Sequence, residues 1–190
     1  MSAIKDGYIF INIPNGSAGA FVEDFIGGVG YRTLRQIIES GSDDFGNQYD
    51  HKKGTVPSVC FVRNPYDRLV SAYSFVKQTE LAEVENSFAD FVRNIKHWAN
   101  YTTPHFWTQY RMIEHEGIEP VPDVFTYRFE SFAQEFEFFK RRFGEKGQIP
   151  RIQKSVKNHW KTYYNDELKV IVDEVYEDDF RVFQYPKAIL

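Results

Sequence analysis

Cysteine is almost absent from this chain. Cys60 is the only one in 190 residues, so no intrachain disulfide can form and a disulfide-stapled secreted scaffold is excluded. Long hydrophobic runs are missing too. No stretch approaches the roughly 20 apolar residues that a bilayer span requires. The N-terminus has no signal-peptide pattern, because Lys5 and Asp6 precede only a short apolar segment. These features together lead us to expect a cytoplasmic protein with no membrane span. The five histidines and one cysteine show no zinc-ligand spacing, so no metal is expected. A Gly-x-Ser-x-Gly elbow is lacking, which argues against Ser–His–Asp hydrolysis. The Gly-Lys-Ser/Thr of a Walker A loop is lacking as well, which argues against a nucleotide kinase. No internal repeat or low-complexity segment is visible. Nor is there an excess of positive charge: 23 Lys and Arg face 27 Asp and Glu, a formal net charge of −4, which argues against a nucleic-acid partner.

Aromatic residues are abundant, with 18 Phe, 12 Tyr and 3 Trp. The length is enough for a real core and fits a single domain, residues 1–190. The positive charge is unevenly spread. Lys140 to Lys161 contains eight Lys or Arg and one acid, Glu145. Such a stretch either faces an anionic ligand or is a solvated face.

Val59 to Tyr73, VCFVRNPYDRLVSAY, is the most informative segment. Val59–Val62 is a short β-branched and aromatic run of the kind that forms a buried parallel strand. Asn64 is a good helix N-cap and Pro65 a good first helical residue, since proline has no N–H to leave unpaired. Asp67 falls in the first turn, where its charge suits the helix dipole. Leu69, Tyr73 and Val76 then mark one helical face. The segment therefore reads strand, sharp turn, helix, and Arg63 stands where open α/β sheets bind their ligands. Ser71 lies roughly 9 Å further along the helix axis than Pro65. An arginine fork and a hydroxyl in this arrangement can hold one phosphate. Taken singly, Arg63 can equally be a salt-bridge partner of Asp67, and Ser71 a small residue at a helix contact.

Other segments repeat the alternation. Tyr8–Ile13 is a second strand, ended by Pro14. Asn15, Gly16, Ser17, Ala18 and Gly19 follow, and Ala20–Phe25 begins a helix. This is either a plain turn or a phosphate cradle of exposed N–H groups. Tyr31–Ser40 is helical, and Gly41–Pro57 is a polar loop. Ser87 caps a helix bearing Phe88, Phe91, Val92, Ile95 and Trp98, with His97 on its outer face. His105 and Gln109 are four apart, so on one helix they share a face. His105 can take a proton from a hydroxyl or play a structural part. Val124–Tyr127 is a third strand with Arg128 just beyond it, followed by a helix over Ser131–Phe143. Near the C-terminus Leu168, Ile171, Val175 and Tyr176 mark a helix face whose role is packing.

Val62 to Ala72 resembles the 3′-phosphate-binding segment of the type-2 sulfotransferases, the carbohydrate sulfotransferase-like family. Its pattern is Val-Arg-Asn/Asp-Pro, an aromatic, an acid, Arg-Leu-Val-Ser and Ala. His105 to Gln109 is similar to that family's His-Trp-x-Pro-Gln, with Thr108 in place of proline. Tyr163–Tyr185 resembles its closing segment, including Tyr-x-x-Asp-Phe at Tyr176, Asp179 and Phe180. Ile11, Ile13 and Pro14 match its first strand and loop, where Asn12 replaces a histidine and Asn15 a lysine.

The resemblance implies an α/β fold: a three-layer α/β/α domain with a central parallel sheet, of the P-loop NTPase-like sulfotransferase type. It implies transfer of a sulfuryl group from 3′-phosphoadenosine 5′-phosphosulfate to a hydroxyl acceptor, expected to be a carbohydrate. Arg63 and Ser71 would clamp the 3′-phosphate, Asn15–Gly19 would hold the 5′ end, and Arg128 would reach the nucleotide or brace its strand. His105 would be the catalytic base. The family's loop lysine supports the leaving oxygen, and losing one such donor costs on the order of 10²–10³ in rate. Asn15 therefore keeps a second reading open, a nucleotide-binding module of the same fold without turnover.

Overall fold

The computed structural model describes residues 3–5, 8–11, 34–40, 57–100, 103–114, 123–143 and 159–188. The chain divides into two compact units. The first holds the sheet and the helices around it; the second runs through Arg63–Tyr110 and resumes in the C-terminal helices.

In the first unit, strands β1 (Ala3–Lys5), β2 (Tyr8–Ile11), β3 (Ser58–Val62) and β4 (Val124–Arg128) form one sheet in that order. Strands β2, β3 and β4 are parallel, as expected. The pairing of β1 with β2 is antiparallel, so the sheet is mixed. Strand β1 is three residues long, too short for alternation to register in sequence. All five residues of β3 are buried, as an apolar run between two neighbouring strands should be. Phe61 meets the rings of Tyr127 and Phe132, each at 5.4 Å. Among the described residues this unit includes helices α1 (Leu34–Ser40) and α6 (Phe132–Phe143). A single 3₁₀ turn, Phe129–Ser131, precedes α6. Arg128 is the last residue of β4 rather than the first beyond it.

The second unit is helical. Helix α2 (Pro65–Thr79) starts as the sequence indicates: the Asn64 side chain accepts from the N–H groups of Tyr66 and Asp67. Its C-terminus turns at Glu80, which adopts the left-handed conformation at φ 53°. Ser87 accepts from the N–H of Asp90 and caps α3 (Phe88–Arg93). The single helix expected here is in fact two, because α4 (Ile95–Asn100) begins after a break at Asn94. Across the break the Glu85 carboxylate takes the Asn94 amide at 2.8 Å and the Trp98 indole N–H at 2.9 Å. His97 is exposed, as expected. The C-terminal helices are α7 (Asp166–Val175), capped by Asn165, and α8 (Glu177–Val182).

Aromatic rings fill this unit. Phe91 contacts Tyr73, Trp98 and Phe106. Tyr66 stacks on Trp160 at 5.1 Å and meets Tyr164 and Phe180. Phe91 and Trp98 are thus core, and Phe88 is half-buried. Offset and edge-on pairs of this kind stabilise a core beyond the area they bury.

Candidate functional site

Arg63 directly follows Val62, the end of β3. Its Nε donates to Asp67 Oδ2 at 2.8 Å, an i,i+4 pair that lays the guanidinium over the first turn of α2. Ser71 lies four residues beyond Asp67. Within α2 the two share a face, while Arg63 precedes the helix and reaches that face through its bond to Asp67. Ser71 is 7% exposed. The salt-bridge reading of Arg63 is therefore met: it pairs with Asp67.

The backbone of Arg63 is held as firmly as its side chain. Gln109, the first residue of helix α5 (Gln109–Ile113), accepts from the Arg63 N–H through Oε1 at 2.8 Å. It donates from Nε2 to the Arg63 carbonyl at 2.8 Å. Gln109 is in turn held by Asp179. Asp179 Oδ2 accepts from the Gln109 N–H at 2.9 Å and from its Nε2 at 3.3 Å, and Oδ1 accepts from the Tyr110 N–H at 2.8 Å. The carboxylate satisfies the first two N–H groups of α5, which have no partner inside the helix. Asp179 is 0% exposed. Burial raises its pKa to about 6, against the pull of Arg68 and the N–H groups of Gln109 and Tyr110.

Arg68 is 1% exposed. It donates to the Trp107 carbonyl at 2.7 Å and to the His105 carbonyl at 3.2 Å. Burial pulls its pKa down, Tyr176 and Asp179 hold it up, and Arg63 lowers it. Tyr176 donates to the Phe106 carbonyl at 2.7 Å. The segment His105–Trp107 is thus pinned from α2 on one side and from the end of α7 on the other.

His105 departs from expectation. It lies in a 3₁₀ turn, Pro104–Phe106, and Gln109 opens a separate helix. The shared helical face inferred from their spacing does not exist. Pro104 sets φ for a tight turn, and the chain is extended at Trp107 before α5 begins. His105 is 3% exposed and packs on the Phe75 ring at 5.1 Å. Burial, and then the charge of Arg68, push its pKa down to about 4.

Of the remaining sequence candidates, Arg128 ends β4 opposite Val62 in the ladder. Asn15, Gly16, Ser17, Ala18 and Gly19 lie outside the described residues, as does most of the basic stretch. Three residues that organise the site, Arg68, Gln109 and Asp179, were given no role by sequence reasoning. Each sits inside a motif that was noticed. Nothing local announces that an aspartate 70 positions away caps Gln109.

The arrangement defines an α/β protein in which a buried parallel strand leads through Arg63 into the helix that bears Ser71. The chain belongs to the sulfotransferase family: the family's model, described as "Sulfotransferase family", matches residues 40–186. Searches of curated proteins and of solved structures return no match. Membership makes sulfuryl transfer the general chemistry, with a donor that in this family is generally 3′-phosphoadenosine 5′-phosphosulfate and an acceptor that is a hydroxyl. Among the described residues no helix is long and apolar enough to cross a membrane, and no group of three His, Cys, Asp or Glu could hold a metal ion.

Proposed function

We propose that this chain moves a sulfuryl group from 3′-phosphoadenosine 5′-phosphosulfate to the hydroxyl of a carbohydrate, without a metal. Arg63 and Ser71 bind the donor's 3′-phosphate. The observation that carries the reading is Arg63, fixed in both backbone and side chain at the start of the helix that bears Ser71. A planar fork matches two phosphate oxygens, and an adjacent hydroxyl supplies a third donor. The family resemblance further assigns Asn15–Gly19 to the donor's 5′ end and Arg128 to the nucleotide. The family match runs through both units, which supports one sulfotransferase domain of the three-layer, P-loop NTPase-like type.

In the transfer, the bond from sulfur to the donor's phosphate oxygen breaks as the acceptor oxygen bonds to sulfur. The acceptor's proton passes to a base. His105 is the resemblance's choice for that base. Its depressed pKa keeps the imidazole neutral and able to accept a proton, though weakly, since a base works best with a pKa near the working pH.

A second reading, a nucleotide-binding module without turnover, is favoured by Asn15 in place of the family's lysine and by the burial of His105. Calorimetric titration with 3′-phosphoadenosine 5′-phosphate, beside a sulfate-transfer assay, separates the two. The enzyme reading expects both binding and transfer; binding alone supports the module. Arg63→Ala should weaken nucleotide binding roughly 10- to 150-fold, the worth of a hydrogen bond to a charged group. Unchanged affinity removes Arg63 from the site. His105→Ala should lower turnover far more than nucleotide affinity, and equal losses assign His105 a structural part.

A further inference from the structure

We infer that Gln109 and Asp179 are positioning residues: they present Arg63 to the donor's 3′-phosphate, acting through its backbone without touching the nucleotide. The inference rests on the donor-binding reading above and deepens it.

The ladder between β3 and β4 ends at the pair Val62 and Arg128. Beyond that pair, the N–H and C=O of Arg63 are both taken by one side chain, the Gln109 amide. A primary amide carries an acceptor at one end and donors at the other. Here only one orientation works. The oxygen must face the Arg63 N–H, and the nitrogen must face two acceptors, the Arg63 carbonyl and Asp179 Oδ2. Asp179 thus reinforces the orientation that Arg63 itself demands. It also holds Gln109 in place through the N–H groups of Gln109 and Tyr110. Gln109 and Asp179 are both 0% exposed, so water does not compete for these bonds. The result fixes φ and ψ on either side of Arg63, which sets where its guanidinium begins. Small misplacements of a binding group are costly to a site that depends on positioning.

The test uses two ligands that differ only in the group Arg63 is proposed to hold: adenosine 3′,5′-bisphosphate and adenosine 5′-phosphate. Affinities for both are measured by calorimetry on the wild-type chain, Gln109→Met and Asp179→Asn, with a thermal melt confirming that each is folded. Gln109→Met keeps the length of the side chain and removes both hydrogen bonds to Arg63. It should reduce the preference for the bisphosphate on the order of tenfold, while affinity for the monophosphate changes less than about threefold. Asp179→Asn, which retains the shape and one acceptor, should reduce the preference in the same direction by a smaller factor. It keeps the comparison open if Gln109→Met does not fold. A general structural role would weaken both ligands alike, and that result overturns the inference, as does an unchanged preference in a folded variant. Failure of the wild-type chain to prefer the bisphosphate overturns the donor reading itself, and this inference with it.

Discussion

The Arg63 guanidinium and the Asp67 carboxylate lie 2.8 Å apart, Nε to Oδ2, at the start of α2. The pair is only partly shielded from water, so as a source of stability it is worth about 0–1 kcal/mol. Its consequence is orientation: it ties a long side chain to the first turn of α2. Asp67→Asn keeps an acceptor for Nε and removes a negative charge beside a proposed anion site. We expect nucleotide affinity within about threefold of wild type for that variant. Asp67→Ala removes the acceptor and should weaken binding roughly tenfold. Equal affinities for the two would show that orientation by Asp67 is not needed, and a titration series with 3′-phosphoadenosine 5′-phosphate measures both.

The buried pair of titrating groups predicts an unusual pH response. His105 falls from its ordinary 6.5 to about 4. Between those values the unfolded chain binds the proton and the folded one does not, so its contribution to stability rises with pH from about 4 to 6.5 and is lost in acid. Asp179 climbs from its ordinary 3.8 to about 6. There the folded chain binds the proton first, so its contribution falls as pH rises through the same range. Each is on the order of 3 kcal/mol, and the two are opposite in sign. His105→Gln removes the part that rises with pH. The difference in unfolding free energy, variant minus wild type, should drop steadily from pH 4 to pH 6.5 in urea titrations. Taking the difference cancels Asp179 and the exposed carboxylates. A flat difference would mean that His105 keeps its ordinary pKa in the fold.

Helix α2 begins at a side-chain cap, and the cap can be tested separately from the anion site. Asn64 Oδ1 accepts from Tyr66 N–H at 3.0 Å and from Asp67 N–H at 3.4 Å. Asn64→Ala should cost about 1 kcal/mol, while Asn64→Asp should change stability by only a few tenths, because aspartate caps equally well. Urea midpoints at constant slope report both values.

The other end of α2 offers a change of opposite sign. Glu80 sits at φ 53°, closing the helix with its N–H on the Val76 carbonyl, and Leu81 N–H reaches the same carbonyl at 3.3 Å. A residue with a Cβ in this conformation costs roughly 1–2 kcal/mol relative to the right-handed region, a cost glycine avoids. Glu80→Gly should therefore raise stability by about 1 kcal/mol once the extra freedom of the unfolded glycine is offset. A lowered melting temperature would count against the left-handed cap.

What could be read from sequence was local. The run from Val59 to Val62 announced a buried strand, Asn64 and Ser87 announced caps, and each signal lay within four residues of what it controls. Arg63 and Ser71 were legible as candidates for the same reason, since one ends a strand signal and the other lies in the helix signal that directly follows. Asp179 was visible only as a letter in a motif, because its partners Gln109 and Tyr110 meet it through tertiary packing that no periodicity encodes. His105 and Gln109 misled: four-residue spacing means a shared face only if one helix spans both, and Pro104 makes a tight turn instead. The break at Asn94 escaped because the apolar periodicity of Phe91, Val92, Ile95 and Trp98 runs straight through it.

The seclusion of Cys60 has a practical consequence. It is buried in β3, and burial pushes its thiol up to about 12, so the folded chain presents no thiolate to alkylating reagents or mild oxidants. A cysteine introduced at an exposed position such as Gln78 would then be the sole reactive handle, and a fluorophore or spin probe could be attached there without first removing a native thiol. Conversely, any modification of Cys60 itself would serve as a clock for the opening of the sheet.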